Sequence, residues 1–423
     1  MFALVAQGIQ RGTSAFLSRA RLVGIVYVVA GLVVIGMFAL SVPATTVSTL
    51  RFTGGGDPVQ LPVLPLPTLA ANVIVGLGIV AIGGWQLWRG FKQANVALGL
   101  SFALLVMAFL LWSIRGATLN VTGLLEATLL SAIPFLLGAL SGIMCERAGV
   151  INIAIEGMML IACLVSVVVT NMAGGNLWIG LTAGLASGAL VAAIHAVLSI
   201  HYKVDQIISG TVINIFATGI TNYINLRVLQ VAQDLNNTHT FDALPIPGLS
   251  QIPILGRVLF NQNILVYAAL ILMFVVHFVL FYTRWGLRTR AVGEHPRAAD
   301  TLGINVYRTR YINVIIGGVL AALGGCFLTL GDVGRFDKLM TNGRGFIALA
   351  AMIFGNWTPF GAFASSLIFG FADSLQLSLQ IISSVIPSDF LLMAPYLATI
   401  IALVGLVGRT VPPAADGKPY EKS

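Results

Sequence analysis

Residues 121–170 read VTGLLEATLLSAIPFLLGALSGIMCERAGVINIAIEGMMLIACLVSVVVT. Two apolar runs, 122–144 and 150–170, flank a short polar stretch. A helix of ~20 apolar residues crosses the hydrocarbon core of a bilayer, and each run has that length. The segment Cys145–Leu160 gathers Glu146, Arg147, Asn152 and Glu156 around Gly149. A charge near the middle of a bilayer costs at least ~2.5 kcal/mol. Such groups therefore face a cavity or pair with one another. Two readings stand side by side. One is a broken helix lining a translocation path, which makes Asn152 and Glu156 pathway residues. The other is a structural ion pair, Arg147–Glu156 or Glu146–Arg147, that stabilises a bend.

Runs of the same kind recur outward from this stretch, near 22–42, 69–88, 94–114, 177–199, 206–228, 264–283, 311–331, 358–380 and 390–408. The run 344–356 is too short for a full span and fits a short or re-entrant helix packed inside protein. The chain is 57% hydrophobic and 9% charged, with a mean hydropathy of +0.94. A soluble domain carries about 25% charged residues, so a soluble enzyme is excluded. The expected fold is all-α: a polytopic membrane protein of about 10–12 transmembrane helices. The run 22–42 is longer than the 7–15-residue core of a signal peptide and reads as a retained first span.

The net charge of +8 fits Lys and Arg collected in cytoplasmic loops. No basic stripe is interleaved with aromatic residues, so nucleic acid is not an expected partner. Putting the N-terminus in the cytoplasm places Arg89, Lys92, Lys203, the Arg-rich segment 284–310 and the C-terminal tail inside. Both termini are then cytoplasmic. Cys145, Cys163 and Cys326 lie far apart in apolar surroundings, with no metal-ligand spacing. They read as packing residues, and no metal site is expected. Residues 1–115 form an accessory N-terminal bundle of about three transmembrane helices by the span length above. Residues 116–411, richer in Gly, Asn, Thr and buried charge, form the working core, and 412–423 a disordered tail.

Inside that core the run 206–228 carries a polar stripe: Thr211, Asn214, Thr218, Asn222 and Asn225. Their spacing puts all five on one helical face. Such a face meets water, substrate or another helix, which makes Thr211, Asn214, Thr218 and Asn222 pathway candidates. Asp373 fits a solvated outer end of its span, and His195 and His277 fit packing roles. The segment 284–310 is too polar to span. Pro296 can open a short helix there and Gly303 can close it. A helix on such a loop is a mechanical handle for a partner, or else only a topogenic basic loop.

The run AVGEHPRAADTLGINV (291–306) resembles the coupling loop of ABC importer permeases of the ribose, branched-chain amino acid and nucleoside group. ERAGVINIAIEGMML (146–160), GRGFIALAAMIFGNWTPFGA (343–362), FGFADSLQLSLQ (369–380) and PPAADGKPY (412–420) resemble the same group. Within it they are most similar to nucleoside and simple-sugar permeases that work with basic-membrane-protein-type binding lipoproteins. The resemblance covers most of 116–420 in order. It implies an ABC permease core of type II importer-like architecture with inverted repeats, in which GVINIAIEG and GRGFIALAA are counterparts. The implied role is the permease subunit of an ATP-driven importer, with no chemistry of its own, in a bacterial plasma (inner) membrane. It implies an ABC ATPase chain that binds ATP and Mg, a second permease chain forming a heterodimer, and an extracellular or periplasmic binding lipoprotein. Gly293, Glu294, Pro296, Arg297, Ala298, Asp300 and Gly303 would form the ATPase-coupling loop. The permease itself holds no cofactor and is embedded in membrane lipid. The implied substrate is a nucleoside, whose base could stack on Phe135 or Phe216. The rivals are a ribose- or galactose-type sugar importer and, from another class, an ion-coupled secondary transporter. No phosphate-binding GxxxxGK[ST] loop occurs, so ATP must be bound by another chain.

Overall fold

A computed structural model describes residues 19–54, 59–91, 94–382, 393 and 410–422. Among them, ten helices are long and apolar enough to cross a membrane. They match ten of the expected runs, and the expected span 390–408 lies outside the described residues. The chain divides into two compact units. One comprises Met1–Thr122 and Gln376–Leu392, the other Gly123–Leu375 and Met393–Ser423.

In the first unit, α1 (Arg19–Val33) ends in a π-helical turn, Val34–Ala39. It is followed by β1 (Val47–Arg51), β2 (Leu64–Pro67), α2 (Thr68–Trp88), α3 (Ala94–Ser113) and β3 (Thr118–Asn120). Lipid is as apolar as a leucine side chain, so membrane helices gain most by close backbone approach at small residues. Gly24, Gly31, Gly76 and Gly83 supply that seam between α1 and α2. A Cβ on Gly31 would sit 2.6 Å from the Gly76 carbonyl oxygen, and one on Gly83 2.8 Å from the Val28 nitrogen. At the end of α2 the Arg89 guanidinium lies 4.5 Å from the centroid of Trp88, an aromatic–cation anchor of the kind that marks a membrane interface. The three strands form one small sheet in the order β2-β1-β3. Strand β3 pairs with β1, which carries this unit past residue 115 to Thr122.

The second unit holds α4 (Val121–Glu146), α5 (Ile155–Met172), α6 (Leu177–Ala196) and α7 (Gln206–Ile224). Next come β4 (Ala243–Pro245), α8 (Leu255–Leu259), β5 (Asn261–Asn263) and α9 (Ile264–Tyr282). The remaining helices are α10 (Arg284–Glu294), α11 (Pro296–Thr301), α12 (Val306–Cys326), α13 (Arg344–Phe354) and α14 (Pro359–Ile382). Helices α4 and α12 are the most enclosed, with 89% and 78% of their most apolar windows buried. Helices α6 and α12 meet through another glycine seam. A Cβ on Gly188 would lie 2.3 Å from the Ala322 Cβ, and one on Gly184 2.4 Å from the Cys326 sulfur. All three cysteines are free and buried, as expected of packing residues.

The short run near 344–356 turns out to complete a crossing. Helix α12 starts beside α10 and α11 and continues as a π-helical turn, Phe327–Val333, at its far end. Helix α13 finishes back beside Arg147, whose guanidinium donates to the carbonyls of Asn356 and Trp357. Gly293 of α10 packs on the Arg147 backbone, so α13 ends where α12 began. At 1.5 Å per residue, eleven-residue α13 covers about 16 Å, and the irregular stretch 334–343 covers the rest. Irregular backbone is tolerated at such depth only when buried in protein or lining a cavity.

Candidate functional site

Helix α4 stops at Glu146, Gly149 adopts a left-handed φ of +82°, and α5 begins only at Ile155. Residues 147–150 bond back to the end of α4, but the next residues do not, and a buried backbone must find other partners. Side chains from distant helices supply them. The Ile151 N–H donates to Gln206 Oε1 at 2.7 Å. The Ile151 carbonyl accepts from His195 Nε2 at 2.9 Å. Asn214 Nδ2 donates to the Ile153 carbonyl at 2.9 Å, and its Oδ1 accepts from the Gly157 N–H at 2.8 Å. A Cβ at Gly157 would lie 2.9 Å from that oxygen. His195 is thus a hydrogen-bonded packing residue, while His277 sits among aromatic rings, 4.6 Å from the centroid of Phe360. Asn152 is fully buried, its amide nitrogen 3.4 Å from Ser141 Oγ and its Oδ1 unpartnered.

Three charged residues of this segment hold the two ends of α13. Glu156 Oε1 accepts from the Thr341 hydroxyl at 2.6 Å and the Gly343 N–H at 2.9 Å, and Oε2 accepts from the Gly345 N–H at 2.6 Å. A carboxylate here satisfies orphan N–H groups and meets the positive end of the helix dipole. At the other end, Glu146 Oε2 accepts from the Trp357 indole at 2.6 Å. Arg147 donates to the Trp357 carbonyl at 3.0 Å and to that of Asn356 at 3.3 Å. Both residues have left-handed φ values, +51° and +52°, a costly conformation for such side chains. The structure thereby corrects the expected ion pairs. Arg147 pairs with neither Glu146 nor Glu156: its donors serve the carbonyls that end α13. Asp373 also differs from expectation, lying 3.6 Å from Arg344 with both side chains mostly buried.

The stripe on α7 divides. Asn214 and Asn225 are buried, Thr218 and Asn222 half-buried, and Thr211 exposed. The Asn222 Oδ1 has no hydrogen-bond partner among the described residues. Phe216, 64% exposed, lies on the open side of α7, whereas Phe135 is 1% exposed and packs in the core. Phe135 is therefore unavailable for stacking on a solute.

Next to the break lies the polar loop. Pro296 occupies the first turn of α11, and Gly303 turns the chain with φ +81°. Arg297 and Ala298 are exposed, Ala299 is buried, and Leu302 is 81% exposed. Gly293, at the last turn of α10, meets the break directly: a Cβ there would sit 2.2 Å from the Arg147 carbonyl oxygen.

Residues 412–422, within the tail expected to be disordered, instead pack against this loop. The Ala415 N–H donates to the Gly293 carbonyl at 2.9 Å, and the Ala414 N–H to the Glu294 carboxylate at 3.1 Å. Arg310 Nη1 donates to the Lys418 carbonyl at 3.0 Å, and Lys203 pairs with Glu421 at 2.6 Å. The Asp416 carboxyl lies near that of Glu146, and burial lifts it from an ordinary aspartate value to about 6. Composition missed this because the tail is polar and short. Likewise Gln206, His195, Thr341 and Trp357 were not marked as site residues, since each acts on a segment remote in sequence.

Residues 124–408 match the family model described as branched-chain amino acid transport system / permease component. The guanosine ABC transporter permease protein NupQ of Bacillus subtilis is 44% identical over 310 residues, 71% of this chain and 96% of that protein. The nucleoside ABC transporter permease protein NupC of Lactococcus lactis is 40% identical over 303 residues, 70% of this chain and 95% of that protein. The putative glucose ABC transporter permease protein TsgC13 of Haloferax volcanii is 40% identical over 263 residues, 62% of this chain and 79% of that protein. No solved structure matches. The chain is a multi-pass membrane protein whose irregular stretches are held by buried carboxylates, and it belongs to the branched-chain amino acid transport system / permease component family of ABC transporters.

Proposed function

We propose that this permease imports nucleosides, drawing energy from a separate ATPase chain that docks on α10–α11. The observation that carries the mechanism is the contact of Gly293 with the Arg147 carbonyl. It joins the exposed loop to the break with no intervening side chain. A push on α11, tipped by exposed Leu302, reaches Arg147 and Glu146. Those residues hold the end of α13, and Glu156 holds its start. Displacing that half-helix would change access along the path. ATP and Mg are bound by the ATPase chain.

Similarity to the guanosine and nucleoside permeases over 96% and 95% of their lengths supports the substrate class. On this reading the accessible stripe of α7 serves the solute. Thr211, Thr218 and the unpartnered Asn222 Oδ1 meet sugar hydroxyls or base edges, and Phe216 stacks on a base. Asn214 and Glu156, whose polar atoms face the protein's own groups, shape the break together with Asn152, whose amide nitrogen does the same. A second, different permease chain completes the path opposite α7, and a binding lipoprotein delivers solute from outside. The complex sits in a bacterial plasma membrane with both termini of this chain in the cytoplasm.

A sugar importer is the second reading, favoured by the 40% identity to the glucose permease protein. The test is uptake of labelled guanosine, uridine, adenosine, ribose and glucose by the reconstituted complex with its binding protein. Nucleoside uptake that stops when the ATPase is inactivated is expected. Sugar uptake without nucleoside uptake overturns the substrate class, and uptake that survives ATPase inactivation overturns the energy source in favour of ion coupling.

A further inference from the structure

The C-terminal segment is held by α10, α11, α12 and the end of α13. Its backbone is bonded to α10 at Gly293 and Glu294. Arg310 and Tyr307 of α12 reach the carbonyls of Lys418 and Tyr420 at 3.0 and 3.3 Å. The Val411 N–H donates to Asn356, beyond the end of α13, at 3.1 Å. Tyr420 is buried with Val292, Ala299 and Val306, and so joins α10, α11 and α12 in one apolar cluster. On the other side the segment lies on the break. A Cβ at Gly149 would meet the Ala415 carbonyl oxygen at 3.1 Å, and one at Gly417 would meet Ile151 at 2.7 Å.

At the centre of this contact are two carboxyl groups. Glu146 and Asp416 are both largely buried and lie close enough to interact electrostatically. Two bare carboxylates in such a place repel, so the pair favours holding a proton. Glu146 also accepts from the Trp357 indole. One buried carboxyl thus connects the tail, the end of α4 and the end of α13.

We propose that Val411–Lys422 is a strap that transmits movement of α10–α11 to the break, with Asp416 as its positioning residue. The inference rests on the reading of α10–α11 as the ATPase dock. Without the strap, α10 bears on the break through the packing of Gly293 on the backbone of Arg147 and Gly149, a contact that pushes better than it pulls. With it, the handle, the break and the end of α13 move as one body in both directions. Asp416 acts through Glu146 and touches no solute.

The test uses the complete complex with its ATPase, carrying a deletion of 412–423, Asp416→Ala or Asp416→Asn in this chain. The first readout is co-purification of the ATPase and its basal hydrolysis. The second is the change in amide hydrogen exchange of 147–154 when nucleotide is added. The deletion and Asp416→Ala should retain the ATPase and basal hydrolysis but lose the nucleotide-driven change at least tenfold. Asp416→Asn keeps the shape and stays neutral beside Glu146, and should restore it. An unchanged exchange response in the deletion overturns the strap. Loss of the ATPase from the deleted complex makes the tail a docking surface and overturns it too. So does an Asp416→Asn variant as defective as Asp416→Ala. The readout needs no solute, so a wrong substrate class leaves it intact. A wrong dock shows itself separately, as exchange at 147–154 that ignores nucleotide in the unaltered complex.

Discussion

Replacing Glu156 by Gln tests whether this carboxylate clips α13 in place or is reserved for a solute. The side chain is buried, and its two oxygens take three donors at 2.6, 2.9 and 2.6 Å. An amide keeps one acceptor oxygen. If that oxygen stays with Thr341 and Gly343, the new NH2 faces the Gly345 N–H, donor against donor. Losing a hydrogen bond to a charged group costs ~1.5–3 kcal/mol. The two surviving bonds become neutral and roughly half as strong. The favourable interaction with the start of α13 goes as well, worth ~0.3–1 kcal/mol at an exposed helix end and more when buried. Relief from burying a charge returns part of this, which leaves a net loss of about 3 kcal/mol by these contributions. At roughly 2–4 °C per kcal/mol in larger chains, the melting midpoint should fall by about 6–12 °C. The protein carries its own reporter, because Cys145, Cys163 and Cys326 are free and buried. A thiol-reactive dye that fluoresces on cysteine exposure therefore follows unfolding of the purified complex. Glu156→Asp, one methylene shorter, should reach only some of the donors and fall between. A Glu156→Gln protein that melts like the unaltered one, yet binds solute more weakly, would refute the clip and return Glu156 to the pathway.

Four further outcomes follow from the same contacts. Asn214→Ala strands the Gly157 N–H and the Ile153 carbonyl, at about 1–3 kcal/mol for each buried unsatisfied group, so the dye midpoint should drop and exchange at 151–157 should rise. Gly293→Ala places a methyl 2.2 Å from the Arg147 carbonyl oxygen; overpacking costs ~1–3 kcal/mol, and ATP-driven uptake should fall well below basal hydrolysis in the reconstituted complex. Trp357→Phe keeps the packing but removes the indole donor to Glu146, and should loosen protection at 355–358 while exchange at 341–345, on the Glu156 side, stays as it was. Burial raises Asp416 to about 6 against ~3.9 in an unfolded chain, so the docked tail favours the protonated acid. Its contribution is full below the unfolded value and is lost as pH rises through about 6. Release of a spin label at Lys418 should therefore increase from pH 5 to 7, and Asp416→Asn should flatten that rise.

Legibility of the fold and of the site followed the range of the forces involved. Ten of the apolar runs became helices long enough to span because hydropathy and length are local properties. Pro296 and Gly303 bounded α11 for the same reason, since each acts on its own φ. The polar segment 145–160 stood out as special, but its pairings did not follow from it. Charge alone joined Arg147 to a neighbouring acid, whereas the folded chain offered it two strained carbonyls beyond α13. The stripe on α7 showed a common face correctly, yet Asn214 and Thr211 on that face proved to have different neighbours.

By itself the sequence determined that this chain lives in a membrane, where it bends, and which loop stays polar. Only the tertiary structure decided what the bend holds. Glu156 meets Gly345 across 189 positions and Glu146 meets Trp357 across 211. A buried carboxylate takes whichever donors packing brings within reach, and helix contacts made at glycine seams set that reach. No local pattern carries that information. The short run at 344–356 therefore read as a helix too short to cross, and became half of a crossing once both ends of α13 were seen to be held.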